Sequence, residues 1–162
     1  MERNMAYEEL LTALAAKLGI QGMIQEDGVC SVEIDGMTVS MVHFEDADAL
    51  VLYGIIGDPP IEEEGRFNAM LLQSNNMFQG TGGATLSQNP ESKEYAMQGQ
   101  FPLAVIDADS LALALERFVD TLEHWKQVLE DFRPAGEEAA KFASNDAEMP
   151  PFFLGNGGFI SV

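Results

Sequence analysis

The chain has 162 residues, 46% of them apolar, and it carries 8 Lys plus Arg against 27 Asp plus Glu, which gives 8 − 27 = -19. This length predicts one domain with a hydrophobic core of its own, and the negative charge excludes nucleic acids and anionic membranes as partners because it repels phosphate groups. The lone Cys30 excludes an internal disulfide, and the sequence contains neither the apolar core of a signal peptide nor a membrane-spanning stretch of about 20 apolar residues, so we expect a soluble protein of a reducing cytoplasm.

The first predicted element is an amphipathic helix that ends at Leu18. Its apolar positions are three and four residues apart, as on one face of a helix, and Glu8 and Glu9 suit the positive end of the helix dipole. Gly19 is placed for a left-handed C-terminal cap, which ends the helix and lets Ile20 fold back onto the last turn. The apolar stripe consists of Tyr7, Leu10, Leu11, Leu14 and Leu18.

Three to four antiparallel strands are predicted after this helix. Apolar and polar residues alternate in Cys30–Ile34 and Met37–Val42, and the Asp35-Gly36 pair between them is typical of a two-residue hairpin turn. The apolar run Leu50–Ile56 has the length of a further strand, and a short strand near Met23–Gln25 would precede the hairpin.

The next predicted elements are a second helix and a second hairpin. The helix covers Ile61–Met77, and the glutamates at its start, Glu62–Glu64, suit the helix dipole. A glycine-rich connection, Gly80–Gly83, leads to two short strands, Ala84–Gln88 and Glu94–Phe101, which we expect to pair with each other.

The last predicted element is a helix that starts near Asp107 and ends at Arg133-Pro134. Its apolar residues alternate steps of four and three, which indicates a helix lying on a sheet; a free coiled coil is the alternative. The stripe is formed by Leu111, Leu115, Phe118, Leu122, Trp125, Leu129 and Phe132.

The residues after this helix differ in composition from the rest of the chain. They are rich in Gly, Ala, Glu, Asn and Pro, and glycines separate their apolar residues. We therefore divide the chain into a domain of residues 1–133 and an acidic and apolar tail of residues 134–162, which we expect to be flexible. The alternative is that the apolar residues of the tail pack on the domain. These residues are Phe152, Phe153, Leu154, Phe159, Ile160 and Val162.

No catalytic or cofactor site is visible in the sequence. The loop Gly80–Ala84 follows a helix and precedes a strand, which is the reverse of a phosphate-binding loop, and it contains no Gly-Lys-Ser/Thr. One cysteine and two histidines, without a His-Glu-x-x-His motif, do not provide the ligands of a zinc site. His43 and His124 are interpreted as surface or rim residues, and Cys30 as a core thiol. We therefore predict a binding protein with no enzymatic activity, metal or cofactor.

The chain resembles the Tir chaperone (CesT-like) family of class I type III secretion chaperones. The resemblance covers the region from Tyr7 to Leu129, and the block from Leu71 to Leu86 is its most specific part. The residues that carry it are Leu10-Leu11, Leu18-Gly19-Ile20, Ile34-Asp35-Gly36, Leu52-x-Gly54, Gly57-x-Pro59-Pro60, Leu71-Leu72-x-x-Asn75, Gly80-Thr81-Gly82-Gly83-Ala84-Thr85-Leu86, and Phe118 with Trp125.

This resemblance implies an α+β fold of order α-β-β-β-α-β-β-α, with helices packed on a twisted antiparallel sheet, in a homodimer of the bacterial cytoplasm. It implies a chaperone that binds the non-globular N-terminal region of a secreted effector and keeps it soluble and secretion-competent. A client segment could add to a sheet edge while its apolar side chains enter patches beside the first helix. The candidates for the client-binding groove are Leu11, Leu14, Leu18, Ile20 and Met23, and those for the dimer interface are Phe67, Met70, Leu71, Phe78 and Leu86.

Two other functions and one other role for these residues stay open at this point. The first function is a regulatory, chaperone-like protein that sequesters a transcription activator or another chaperone. The second is an α+β domain that binds a small molecule, which would need a pocket with convergent polar groups. For each candidate residue, a place in the core of its own chain is the alternative to an interface, because an amphipathic stripe does not say which surface covers it.

Overall fold

The computed structural model describes residues 2–20, 24–26 and 29–132. The predicted tail and the client-groove candidate Met23 lie outside the described residues. Two short 3-10 turns, Glu45–Ala47 and Asn76–Phe78, accompany the main elements. These elements are α1 (Glu2–Leu18), β1 (Ile24–Glu26), β2 (Val29–Ile34), β3 (Met37–Phe44), β4 (Ala49–Gly57), α2 (Glu64–Asn75), β5 (Thr85–Gln88), β6 (Tyr95–Pro102) and α3 (Ala108–Asp131).

The strands form one antiparallel sheet of six strands in the order β1-β2-β3-β4-β6-β5. This confirms the predicted α+β class and its antiparallel sheet. Four strands follow the first helix, one more than in the order α-β-β-β-α-β-β-α, because the short strand β1 pairs with β2 ahead of the β2–β3 hairpin. The β2–β3 turn is the expected one. Ile34 pairs with Met37, and Asp35 and Gly36 have φ values of 51° and 77°, both positive as a tight hairpin turn requires.

The core lies between one face of this sheet and the helices α1 and α3. Leu50 and Leu52 of β4 point into it and are fully buried, and α3 crosses β3 and β4 above them. The predicted stripe of α3 faces the sheet, with Leu111 and Leu122 among its buried members. α1 lies beside α3, and the Tyr7 hydroxyl donates a hydrogen bond of 2.8 Å to the Met41 carbonyl of β3.

Helix α3 is fixed at both ends of its buried stripe. At its start, the Asp107 carboxylate accepts a hydrogen bond of 2.8 Å from the Ser110 amide, as an N-cap residue does. Hydrogen bonds from the Ser110 side chain and then from its backbone lower the pKa of Asp107. Nearer its end, the Trp125 indole Nε1 donates to the Gly80 carbonyl at 2.9 Å. The glycine-rich connection thus contacts α3 through its backbone.

Helix α2 starts three residues later than the sequence predicts. It begins at Glu64, so Glu64 alone of the three glutamates lies in its first turn, and Ile61 is fully exposed. The prediction was wrong because the attraction of acidic residues to a helix dipole does not define the first helical residue. The helix lies along β5, where Phe67 packs against the rings of Tyr95 and Phe132, each at 5.0 Å between centroids.

No helix within the described residues is both long and apolar enough to cross a membrane.

Candidate protein-binding surfaces

A groove of about 460 Å³ lies between the end of α1, the β2–β3 turn and the first half of α3. We call it the α1–α3 groove. Its apolar wall includes Leu18, which is 39% exposed, and Leu113, which is 49% exposed. The full apolar lining is Leu18, Ile34, Ala112, Leu113, Leu115 and Val119, and the charged lining is Lys17, Asp35, Asp109, Glu116 and Asp120.

The charged lining of this groove is predominantly acidic. Four carboxylates and one ammonium give 1 − 4 = -3 among its lining residues. The Lys17 ammonium of α1 pairs with the Asp109 carboxylate of α3, so the one cation of the lining is already engaged. The groove therefore combines an apolar interior with a negative rim.

The structure separates the predicted client-groove residues into two groups. Leu11 and Leu14 are buried in the core, with 6% and 0% of their surface exposed, and Ile20 packs partly buried against that core. Only Leu18 of the described candidates lines the α1–α3 groove. The sequence reasoning missed Leu113, although an apolar residue away from the α3 stripe was a visible signal of an exposed apolar side chain.

A second surface lies at the end of α2, where the residues Leu72, Met77 and Phe78 are 72%, 79% and 57% exposed. We call these three residues the α2-end patch. Met77 and Phe78 both have positive φ, 55° and 56°, which is unfavourable for residues with a Cβ atom. Backbone strain of this kind persists where surrounding structure or function requires it.

The predicted dimer residues overlap little with this patch. Phe67, Leu71 and Leu86 are buried in the core of their own chain, and Met70 packs partly buried against it. Of the five candidates, Phe78 is the one with an exposed side chain. Leu72 follows Leu71 directly, and because neighbouring helical residues point in different directions, one leucine is buried and the other exposed.

The outer edge of β5 is occupied by a side chain. The amide of Asn75, the last residue of α2, donates from Nδ2 to the Leu86 carbonyl, and its Oδ1 accepts from the Leu86 amide, both at 2.9 Å. The outward-facing backbone groups at Leu86 are therefore already satisfied. At the other end of the sheet, β1 pairs with β2 alone among the described strands.

The face of the sheet opposite the core forms a third surface, which we call the open sheet face. Val51 and Tyr53 alternate with the buried Leu50 and Leu52, and together with Val42 they line a depression of about 470 Å³. None of the residues that line this depression is charged.

Two titratable side chains of the core, Tyr7 and Cys30, are buried, and burial favours their protonated forms. Burial, and then the charge of Cys30, raises the pKa of Tyr7 to about 12, and burial raises the pKa of the Cys30 thiol, which disfavours the nucleophilic thiolate. His43 stacks on the Tyr7 ring at 5.1 Å. In the part of the chain that the structure describes, no three His, Cys, Asp or Glu side chains are grouped so that they could hold a metal ion.

Comparison with family models assigns residues 9–126 to the Tir chaperone protein (CesT) family. The chain belongs to this family. The matched region runs from α1 into the second half of α3 and so includes the sheet, α2 and all three surfaces. A search of curated protein sequences gives no significant match.

Solved structures similar to this chaperone-family chain share its fold. The structure of the HopA1-SchA chaperone-effector complex contains a chain that is 19% identical, with a TM-score of 0.63, and the match covers 82% of this chain and 98% of that one. The crystal structure of the Yersinia pestis type III secretion chaperone SycH in complex with a stable fragment of YscM2 contains a chain that is 19% identical, with a TM-score of 0.58, and the match covers 74% of this chain and 98% of that one. The structure of the Pseudomonas aeruginosa ExoU-SpcU complex contains a chain that is 20% identical, with a TM-score of 0.55. That match covers 73% of this chain and 92% of the other.

Proposed function

We propose that this protein is a cytoplasmic type III secretion chaperone that binds the non-globular N-terminal region of a secreted effector and keeps it soluble and secretion-competent. The observation that supports this most is the family match over residues 9–126. It is supported further by the likeness to a chain of a chaperone-effector complex, 98% of which is covered.

The α1–α3 groove is the proposed binding site for apolar side chains of the client. Its exposed leucines, Leu18 and Leu113, are available without any rearrangement of the core. Strand addition supplies the backbone part of the interaction, because an extended segment pairs with free main-chain groups at a sheet edge. Asn75 satisfies such groups on β5, so we assign the client strand to the outer edge of β1.

We propose that the protein acts as a homodimer without enzymatic activity. The α2-end patch supports the dimer, since large apolar side chains that are more than half exposed are typical of surfaces that a partner covers. This assignment keeps the dimer contact near α2, as predicted, but uses Leu72, Met77 and Phe78.

Affinity purification of the tagged protein from its native host, with mass spectrometry and the mass of the complex, tests this function. We expect a secreted protein with two copies of this chain, and deletion of the N-terminal segment of that secreted protein should abolish the complex. Recovery of a transcription activator or another chaperone in its place would favour the regulatory alternative. A monomer without any protein client would contradict the proposal.

A further inference from the structure

We propose that the α1–α3 groove selects a client segment in which an apolar anchor is flanked by Lys or Arg. This inference rests on the proposed function and specifies the chemistry of its partner. The anchor would contact Leu18 and Leu113 inside the groove, and the flanking cations would pair with the carboxylates of Asp35, Glu116 and Asp120 at its rim.

The apolar part of the groove is suited to an anchor side chain. Its volume of about 460 Å³ is within the range of roughly 300–1,000 Å³ that ligand-binding clefts occupy. Leu18 and Leu113 come from different helices and are both partly exposed to solvent, so an apolar side chain between them removes apolar surface of both from water.

Two carboxylates of the groove lining belong to the same helix, α3. Glu116 and Asp120 are four residues apart on the same helix, where two like charges repel each other and destabilise the helix. Among the described residues, no ion pair is formed by Glu116, Asp120 or Asp35, whereas Lys17 is engaged by Asp109. A cation brought by a partner would relieve this repulsion.

The charge of the lining determines which partner fits. A lining charge of -3 repels an acidic segment, and it likewise disfavours a second copy of this chain, itself at -19, as the occupant of this groove. A basic segment is attracted, and both its association rate and its affinity should fall as salt screens the attraction. The depression on the open sheet face has no charged residue in its lining and therefore offers no such discrimination.

Two synthetic peptides test this inference on the full-length protein. Both carry the same Leu-Ile-Leu anchor, flanked by two arginines on each side in one peptide and by two glutamates on each side in the other. Fluorescence anisotropy measures their dissociation constants at about 50 mM and about 300 mM NaCl, since the Debye length falls from more than 10 Å to well below it over this range. We expect tight, salt-sensitive binding of the arginine peptide and weak binding of the glutamate peptide.

Matched variants locate the binding site. Glu116→Gln with Asp120→Asn removes two rim charges and should weaken the arginine peptide by about 3- to 10-fold, because each exposed ion pair contributes a factor of a few. Asp58→Asn with Glu91→Gln removes two charges outside the groove lining and should leave the affinity within about 2-fold of the wild type, apart from a small effect of net charge. Leu113→Ser should weaken the binding of the arginine peptide at both salt concentrations.

Three results would overturn the inference: equal affinity for both peptides, salt-independent binding as expected for the open sheet face, or equal weakening by the groove pair and the control pair. Co-purification of the native client with Glu116→Gln/Asp120→Asn separates this inference from the proposed function. If the client binds the variant and the wild type equally, the chaperone function stands and the charge selection fails. If the wild type recovers no client, the proposed function fails, and the peptide data still report on the groove.

Discussion

Tyr7 joins α1 to the sheet through a buried phenol. The side chain is 2% exposed, its hydroxyl donates to the Met41 carbonyl, and its ring stacks on His43. Burial makes the ionised phenolate unfavourable, which is why the pKa of Tyr7 rises from 10.0 to about 12. The packing of α1 on the sheet therefore depends on the protonation of this one hydroxyl, and through it on pH.

This pKa predicts a loss of stability in alkaline solution. Between pH 10 and 12 the phenol of the unfolded chain loses a proton that the folded chain keeps, so the free energy of unfolding falls as the pH rises. The raised pKa values of Cys30 and Tyr95 act in the same direction. Urea denaturation at pH intervals across this range measures the free energy of unfolding. We expect this free energy to fall less steeply with pH for Tyr7→Phe than for the wild type.

The slope of the unfolding free energy against pH distinguishes the loss of the titrating phenol from the loss of its hydrogen bond. Tyr7→Phe removes the bond to the Met41 carbonyl and should cost about 0.5–1.5 kcal/mol at neutral pH as well. Equal slopes for Tyr7→Phe and the wild type between pH 10 and 12 would contradict the assignment, whatever the difference at neutral pH.

At the scale of elements, the contact between α3 and β4 depends on a glycine. A Cβ atom added at Gly54 would lie 2.5 Å from Leu122 Cδ2 and 3.3 Å from the Phe118 ring. Both side chains belong to the buried stripe of α3, so the helix approaches β4 closely at this point. Gly54 was part of the motif that indicated the family, and the structure gives the steric reason for it.

Gly54→Ala is therefore expected to destabilise the protein by about 1–3 kcal/mol, the usual range for overpacking a core. Gly65→Ala is the matched control, because nothing lies within 4 Å of the added Cβ atom and alanine favours the helix α2. Chemical denaturation of both variants measures the difference. The close approach would be disproved if Gly54→Ala were as stable as Gly65→Ala.

Element order and the α3 stripe could be predicted from sequence because both depend on local periodicity. The turn at Asp35-Gly36 was predictable for the same reason, since two residues determine its geometry. The α1–α3 groove was not predictable, because it brings Leu18, Ile34 and Leu113 together from three separate elements. The burial of Leu71 and the exposure of Leu72 also depend on which face of α2 meets β5, which is a tertiary contact.

At the scale of the whole molecule, the proposed dimer depends on apolar side chains that the single chain leaves exposed. The α2-end patch is outside the core, so a change there should alter association without unfolding the domain. Leu71 is 5% exposed and belongs to the core, so a charge at this position disturbs the fold itself. Substitutions at Leu72 and Leu71 therefore distinguish an effect on association from an effect on folding.

Leu72→Asp and Phe78→Asp are expected to reduce the mass measured by light scattering from that of a dimer to that of a monomer, because each places an unpaired carboxylate in the contact. Their circular dichroism spectra should remain those of the wild type. Val105→Asp, at a position 78% exposed in the β6–α3 turn, controls for added charge and should stay dimeric.

Leu71→Asp should lower the melting temperature by many degrees instead, since it buries a charge in the core. An unchanged mass for both Leu72→Asp and Phe78→Asp would place the dimer contact elsewhere.

The hydrogen bonds of Asn75 also bear on whether copies of this protein can polymerise. A sheet with two free edges can pair with a copy at each edge, and repeated pairing gives an open-ended fibre. Here the β5 edge is closed at Leu86 by a side chain of its own molecule, while β1 ends the described sheet on the other side. We therefore expect a strand to add at the β1 edge rather than at Leu86 of β5, so that strand pairing stops after one addition. A protein that handles unfolded segments can in this way bind a strand without becoming the template for an aggregate.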